Sequence, residues 1–137
     1  MRVLLVEDDD DARDAYTTML TELGAEVQAA PSAAAGLTAL EGFRPQVILS
    51  DIAMPGEDGH SFMRNVRRLA PEQGGHVPAA ALTALATDQD RERVMQSGFQ
   101  IHVSKPVASF GLAAAVGLLA AWQPIARSAP EGPVSRR

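Results

Sequence analysis

The stretch Arg2-Val3-Leu4-Leu5-Val6, followed at once by Glu7-Asp8-Asp9-Asp10-Asp11, decides how the rest of the chain is read. A short continuous apolar run suits a strand buried on both faces, as in a parallel sheet covered by helices. The acids behind it offer an N-cap and a negative first turn to a helix. That helix is written in Ala12, Ala15, Tyr16, Met19, Leu20 and Leu23, an i, i+3, i+4 pattern that Gly24 stops.

The same alternation continues outward. Glu26 to Ala30 reads as a second strand, and Pro31-Ser32 opens an Ala-rich helix ending at Gly42. Gln46 to Ser50 is a third strand, leading into Asp51 and a loop with Pro55, Gly56 and Gly59. Ser61 to Leu69 is helical, with Phe62, Val66 and Leu69 on one side, and Pro71 to His76 is a loop. Val77 to Leu82 is a fourth strand, Asp88 to Ser97 a polar helix ended by Gly98, and Ile101 to Ser104 a fifth strand. A last helix runs from Ser109 to Trp122. Strict alternation of this kind predicts an α/β, doubly wound architecture, a five-stranded parallel sheet with helices on both faces.

Composition bounds the rest. At 137 residues the chain fits one domain, placed at 1–122, with 123–137 a flexible C-terminal tail rich in Pro, Gly, Ser and Arg. The absence of cysteine removes disulfides, thiolate metal sites and cysteine nucleophiles together. A formal charge of -5 argues against a nucleic-acid footprint, and the trio Arg64, Arg67 and Arg68 reads as a solvated helix face. The uncharged stretch Val107 to Ala126 is broken by Gly111, Gly117 and Pro124, which argues against a membrane span, and no signal peptide is visible. The expectation is a soluble, cytoplasmic domain.

In doubly wound sheets ligands bind beyond the carboxyl ends of the strands, so the residues there are the ones to examine. They are Glu7, Asp8 and Asp9 after the first strand, Asp51 after the third, Thr83 after the fourth and Lys105 after the fifth. Each has an ordinary alternative: a helix cap, a turn aspartate, a sheet threonine. Lys105 stands out, because 12 residues are Lys or Arg and it is the single Lys among them. A lysine is a compact point charge where arginine is a planar fork. Carboxylates converging with a hydroxyl and an ammonium, with oxygen donors only, suit a hard cation such as Mg²⁺.

Four ordered motifs carry a resemblance: Val-Leu-Leu-Val-Glu7-Asp8-Asp9, Leu-Ser-Asp51-Ile-Ala-Met54-Pro55-Gly56-Glu-Asp58-Gly59, Ala-Leu-Thr83-Ala84 and Ser-Lys105-Pro106. With these the chain resembles the receiver domains of two-component response regulators, including the chemotaxis type, over about residues 1–122. The Asp90-Arg-Glu-Arg93 stretch, Gly98-Phe99 and Ser104-Lys-Pro-Val107 look like receivers attached to hybrid sensor histidine kinases.

The resemblance implies a (βα)5 flavodoxin-like sandwich. It implies that Asp51 is the phosphoacceptor, taking a phosphoryl group from a phosphohistidine on a sensor histidine kinase or a histidine phosphotransfer protein. Glu7 and Asp8 match the acidic pair that holds Mg²⁺, with Asp51 and the backbone carbonyl of Ala53 completing the protein ligands. Thr83, with Ala84 beside it, and Lys105 match the groups that receive the phosphoryl oxygens. Pro106 matches a position where the Lys-Pro bond is usually cis, and Pro55 and Gly59 match structural positions of the acceptor loop. The implied protein transfers a phosphoryl group onto itself and is not a turnover enzyme unless it is part of a hybrid histidine kinase.

Departures from the pattern are informative. The position three before the lysine is usually Tyr or Phe, and here it is His102, which reads either as a smaller switch residue or as an ordinary strand histidine. Ala53 and Leu85 occupy positions that tune aspartyl-phosphate lifetime, and neither can hold an attacking water, which predicts a long-lived phosphoryl group. In the last helix Phe110, Leu112, Val116, Leu118, Leu119 and Trp122 go all round, as in a helix that is buried or docks something. In this family the fourth helix, fifth strand and fifth helix form the usual face for a homodimer or partner; alternatively Ala fills exposed positions as a good helix former.

Two other functions compete. One is a phosphorylation-independent receiver used as a docking scaffold, which the intact Glu7, Asp8, Asp51, Thr83 and Lys105 set disfavours. The other is a phosphatase of the haloacid-dehalogenase type, which needs a second Asp two residues after the first, where this chain has Ala53.

Overall fold

Val3, Leu4, Leu5 and Val6 have 0% exposure, so the run that opens the chain is a strand covered on both sides. The computed structural model describes residues 1–84 and 87–122. Its strands are β1 (Arg2–Val6), β2 (Glu26–Ala30), β3 (Val47–Asp51), β4 (Ala79–Thr83) and β5 (Ile101–Ser104). Its helices are α1 (Asp10–Glu22), α2 (Ala33–Phe43), α3 (Gly59–Arg67), α4 (Asp88–Ser97) and α5 (Ser109–Ala120), with a 3-10 turn at Pro71–Gln73. The strands form one sheet in the order β2-β1-β3-β4-β5, and every neighbouring pair is parallel. The order reverses between β1 and β3, which opens a crevice at their carboxyl ends.

Alternate strand residues feed two separate apolar layers. Val3, Leu5, Val47, Leu49 and Leu82 pack with Tyr16 and Leu20 of α1 and with Leu112 and Leu119 of α5. Leu4, Val6 and Ile48 pack on the other face with Leu40 of α2, Phe62, Met63 and Val66 of α3 and Val94 of α4. A Cβ at Gly36 would stand 2.9 Å from Val6 Cγ2, so the close seating of α2 on β1 depends on the missing side chain.

The structure moves several expected boundaries. Helix α2 runs past Gly42 to Phe43 and ends at Arg44, which adopts a left-handed conformation (φ 55). Pro45 bars the helix from continuing, and the Arg2 Nε–H donates to the carbonyls of Phe43 and Arg44 that the helix end leaves open. Strand β3 starts and ends one residue later than expected, and β4 begins after Pro78, which has no N–H for a ladder. Asp51 and Thr83 are therefore the last residues of their strands. Helix α3 starts at Gly59 because Asp58 accepts from the Ser61 N–H at 2.9 Å, a cap that brings His60 into the first turn. Helix α5 ends at Ala120, two residues before Trp122.

Arg67 corrects the reading of the arginine trio. It is half-buried and donates to the carbonyls of Gly98, Gly75 and Val77 and to Gln100 Oε1, at 2.7–3.1 Å. Arg64 and Arg68 are exposed, as expected of a solvated face. Leu85 and the segment 123–137 lie outside the described residues. Among the described residues no helix is long and apolar enough to cross a membrane.

Candidate functional site

The carboxyl edge of the sheet brings the expected residues together. Glu7, directly after β1, is fully buried, Asp51 at the end of β3 is 4% exposed, and Asp8 is half-buried. Carboxylate oxygens of Glu7, Asp8 and Asp51 all lie within 4.8 Å of one another. Lys105 follows β5, its backbone N–H donating to the Thr83 carbonyl at 2.9 Å. Its Nζ donates to Asp51 Oδ1 at 3.0 Å and lies 3.5 Å from Glu7 Oε1. The Lys105-Pro106 peptide bond is cis.

Three carboxylates face one ammonium, and the electrostatics follow. Burial, together with the charge of Asp51, pushes the Glu7 carboxyl up to about 7, although the Asp9 N–H donating to Oε2 at 3.2 Å and the charge of Lys105 oppose it. Burial pulls the Lys105 ammonium down, but the hydrogen bond and charge of Asp51 outweigh it and leave it raised. Glu7 Oε1 is buried without a hydrogen-bond partner, an expensive arrangement for a carboxylate. An orphaned oxygen beside two more carboxylates, with no nitrogen or sulfur donor in the group, fits a hard divalent cation.

The loops hold this arrangement in place. The Ile52 N–H donates to Asp51 Oδ1 at 2.8 Å, so the hydrogen bonds from Ile52 and from Lys105 meet on the same oxygen. Gly59 donates its N–H to the Ile52 carbonyl at 2.8 Å, and a Cβ there would collide with the Asp51 carbonyl oxygen. Only a glycine lets the start of α3 close over the end of β3. Pro55 is exposed in the connecting loop, as is Ala53 at the loop's start. Thr83, 5% exposed, lines with Ala53, Met54, Asp58 and His60 a cleft of about 210 Å³, and Ala84 after it is exposed.

His102 stands apart from the carboxylates. It is half-buried in β5, paired in register with Ala81, and lines a groove of about 530 Å³ with Met95, Gly111 and Leu118. The groove runs between α4, β5 and α5, and Phe110 (85% exposed) and Leu118 (61%) are open to solvent on α5. The apolar residues of α5 thus surround the helix, as their spacing indicates, with Leu112, Ala115 and Leu119 turned inward.

Two residues near the site have no counterpart among those singled out from the sequence. Arg13 on α1 donates to the Glu7 carbonyl at 3.0 Å and pairs with Asp10 at 2.6 Å, bracing the acidic loop. Its signal is the i, i+3 charge pair among the acids of the first turn. His60 is buried, with Nδ1 2.7 Å from Ser97 Oγ. Nothing in its spacing announces that contact.

The sequence model of the response regulator receiver domain matches residues 3–117. The chain belongs to that family. This receiver domain is 43% identical over 107 residues to an uncharacterized 14.6 kDa protein from the sodA1 3′ region of Leptolyngbya boryana, covering 78% of the chain and 80% of that protein. It is 37% identical over 113 residues to hybrid signal transduction histidine kinase D of Dictyostelium discoideum, covering 78% of the chain but 7% of that protein. The receiver thus spans four fifths of the first relative and a small part of the second. Among solved structures, it superposes with a TM-score of 0.76 and 33% identity on the receiver domain of sensor histidine kinase PA1611 from Pseudomonas aeruginosa, covering 88% of the chain and 95% of that one. That structure has a magnesium ion coordinated in its active-site cleft.

Proposed function

We propose that this receiver domain takes a phosphoryl group from a phosphohistidine, on a sensor histidine kinase or a histidine phosphotransfer protein, onto Asp51. The observation that carries this reading is the convergence of the Lys105 ammonium on Asp51 Oδ1, with Glu7 and Asp8 alongside. Because Oδ1 is engaged by Lys105 and the Ile52 N–H, Oδ2 of Asp51 is the attacking oxygen. It forms the new P–O bond as the P–N bond to the donor imidazole breaks, and the imidazole leaves with the electron pair. Lys105 and the Thr83 hydroxyl then meet the phosphoryl oxygens, offsetting the charge that an acidic pocket would otherwise repel.

Glu7, Asp8, Asp51 and the Ala53 carbonyl would hold Mg²⁺, which supplies charge neutralisation at the transferring group. Without an offsetting cation a carboxylate among carboxylates repels an incoming phosphate. The Ala53 methyl offers an attacking water no hydrogen bond, which supports a long-lived phosphoryl group. The groove lined by His102 is the output face, open to a partner or to a second copy of the chain. The setting is a cytoplasmic phosphorelay, with residues 1–122 as the receiver unit.

The decisive experiment is intact mass of wild type and Asp51→Asn after incubation with acetyl phosphate, with and without Mg²⁺. One added phosphoryl group, absent from the variant and absent without Mg²⁺, is expected. No adduct on the wild type would favour the phosphorylation-independent scaffold instead.

A further inference from the structure

Helix α4 is weakly anchored. The side chains it buries are Val94 and Ser97, where α1 buries the larger Tyr16 and Leu20 and α3 buries Phe62, Met63 and Val66. Met95, the other apolar residue of its last turn, is 50% exposed. A helix with so little buried apolar surface belongs to the low-stability end of a domain. Besides the Arg67 guanidinium on the carbonyl of Gly98, the residue that caps the helix, one polar contact of the last turn itself then carries an unusual share of its attachment.

That contact is the buried pair His60 and Ser97, each 4% exposed, with 2.7 Å between Nδ1 and Oγ. The chemistry of the serine fixes its direction. A hydroxyl has one proton, and Ser97 Oγ donates it to the Arg93 carbonyl at 2.8 Å. His60 Nδ1 therefore carries a hydrogen and donates to Ser97. Burial and the nearby charges of Arg93 and Arg64 hold the imidazole below its ordinary titration range against the opposing pull of Asp58 and Asp90, so the ring is neutral at pH 7.

The position of His60 links this contact to the acceptor. Its neighbour Gly59 rests on the Asp51 carbonyl and donates to the Ile52 carbonyl at 2.8 Å. The last turn of α4 is thus tied through His60 to the turn that closes over Asp51. In the chain, the first turn of α4 follows the strand that ends in Thr83.

We propose that His60 is a positioning residue, latching the last turn of α4 to the first turn of α3 and so holding the α4–β5–α5 face in its resting arrangement while Asp51 is unmodified. The coupling half of this inference rests on the reading of Asp51 as phosphoacceptor; the latch itself does not.

The test uses His60→Leu, Ser97→Ala and the double variant of the full chain, with Ser97→Thr as the variant that keeps the hydroxyl. Hydrogen–deuterium exchange across α4 is read in the unmodified protein, and binding of beryllofluoride with Mg²⁺ is read by calorimetry. Each single variant is expected to speed exchange in α4 and to tighten beryllofluoride binding by roughly 2- to 10-fold, the range set by one net hydrogen bond. The double variant goes no further, and Ser97→Thr behaves like wild type. Unchanged α4 exchange in Ser97→Ala, or effects that add in the double variant, would overturn the latch. Faster exchange with unchanged beryllofluoride affinity would overturn the coupling to Asp51. A wild type that neither binds beryllofluoride nor accepts a phosphoryl group would overturn the phosphoacceptor reading and the coupling with it, while exchange still decides the latch.

Discussion

The ammonium of Lys105, just beyond β5, reaches past β4 to donate to Oδ1 of Asp51 at the end of β3, across 3.0 Å. The same nitrogen lies 3.5 Å from the fully buried Glu7. One positive charge therefore serves two buried carboxylates, and its flexible stem lets it move from them to an incoming phosphoryl group.

Lys105→Met should strip that compensation. The two carboxylates would face each other without a counter-charge, lowering stability by about 1–2 kcal/mol, because the lysine is only partly exposed and Glu7 can take up a proton instead. Phosphorylation by acetyl phosphate should slow by roughly 100-fold, as for loss of one charge-stabilising donor. Urea unfolding and timed intact mass read the two effects separately. An unimpaired labelling rate would remove Lys105 from the transfer step.

Two buried groups impose opposite pH slopes. Glu7 titrates at 4.5 when free and at about 7 in the fold, so between those values the native state keeps a proton that the unfolded chain has released. Stability therefore falls as pH rises through that window, by up to about 3 kcal/mol, and Glu7→Gln should abolish the fall in metal-free buffer. His60 acts the other way. Its folded value is lowered from 6.5, so its contribution is present above that pH and is lost as pH falls through the lowered value. Relative to wild type, His60→Leu should lose stability at neutral pH and regain part of the difference in acid. Because the windows overlap, each slope is read as a difference between variant and wild type.

Arg67 supports the opposite end of the sheet from the carboxylates. Its guanidinium satisfies the Gly98, Gly75 and Val77 carbonyls and Gln100 Oε1, which join α3 to the segments before β4 and β5. Arg67→Ala should cost about 2–4 kcal/mol by leaving those acceptors unsatisfied. Arg67→Lys should recover little of it, since an ammonium cannot match the planar fork. Phosphorylation at saturating acetyl phosphate should survive in both, wherever the variant is still folded.

His102 faces the groove where Leu118 and Met95 lie open. His102→Tyr should partly fill that groove and change the difference in partner or self-association affinity between the phosphorylated and unphosphorylated forms. Leu118→Glu should abolish any homodimer formed through this face, read by sedimentation at matched phosphorylation. A His102→Tyr protein with the same affinities as wild type in both states would leave the histidine an ordinary strand residue.

Chain order and the chemistry of the sheet edge are legible in the amino-acid sequence. The bounds of β1, β2, α4 and β5 follow the pattern residue for residue, because each is delimited by local signals: an apolar run closed by acids, a capping Thr87, a stopping Gly98. The end of α2 and the start of α3 depart from the pattern where a tertiary or side-chain contact replaces the local signal. The Arg2 guanidinium donates to the exposed Arg44 carbonyl, and Asp58 caps α3 early enough to draw in His60.

Periodicity and punctuation act over a few neighbouring positions, so the alternating α/β plan and the place of Glu7, Asp8, Asp51, Thr83 and Lys105 at strand ends are written in the order of the residues alone. Three long-range partnerships come from packing instead: Lys105 bonds Asp51 across 54 positions, His60 meets Ser97 across 37, and Arg67 leaves the solvated face to hold Gly98 across 31. Those partners are set by how helices seat on the sheet, and a side chain's choice between water and a distant carbonyl exists only once the two have been packed together.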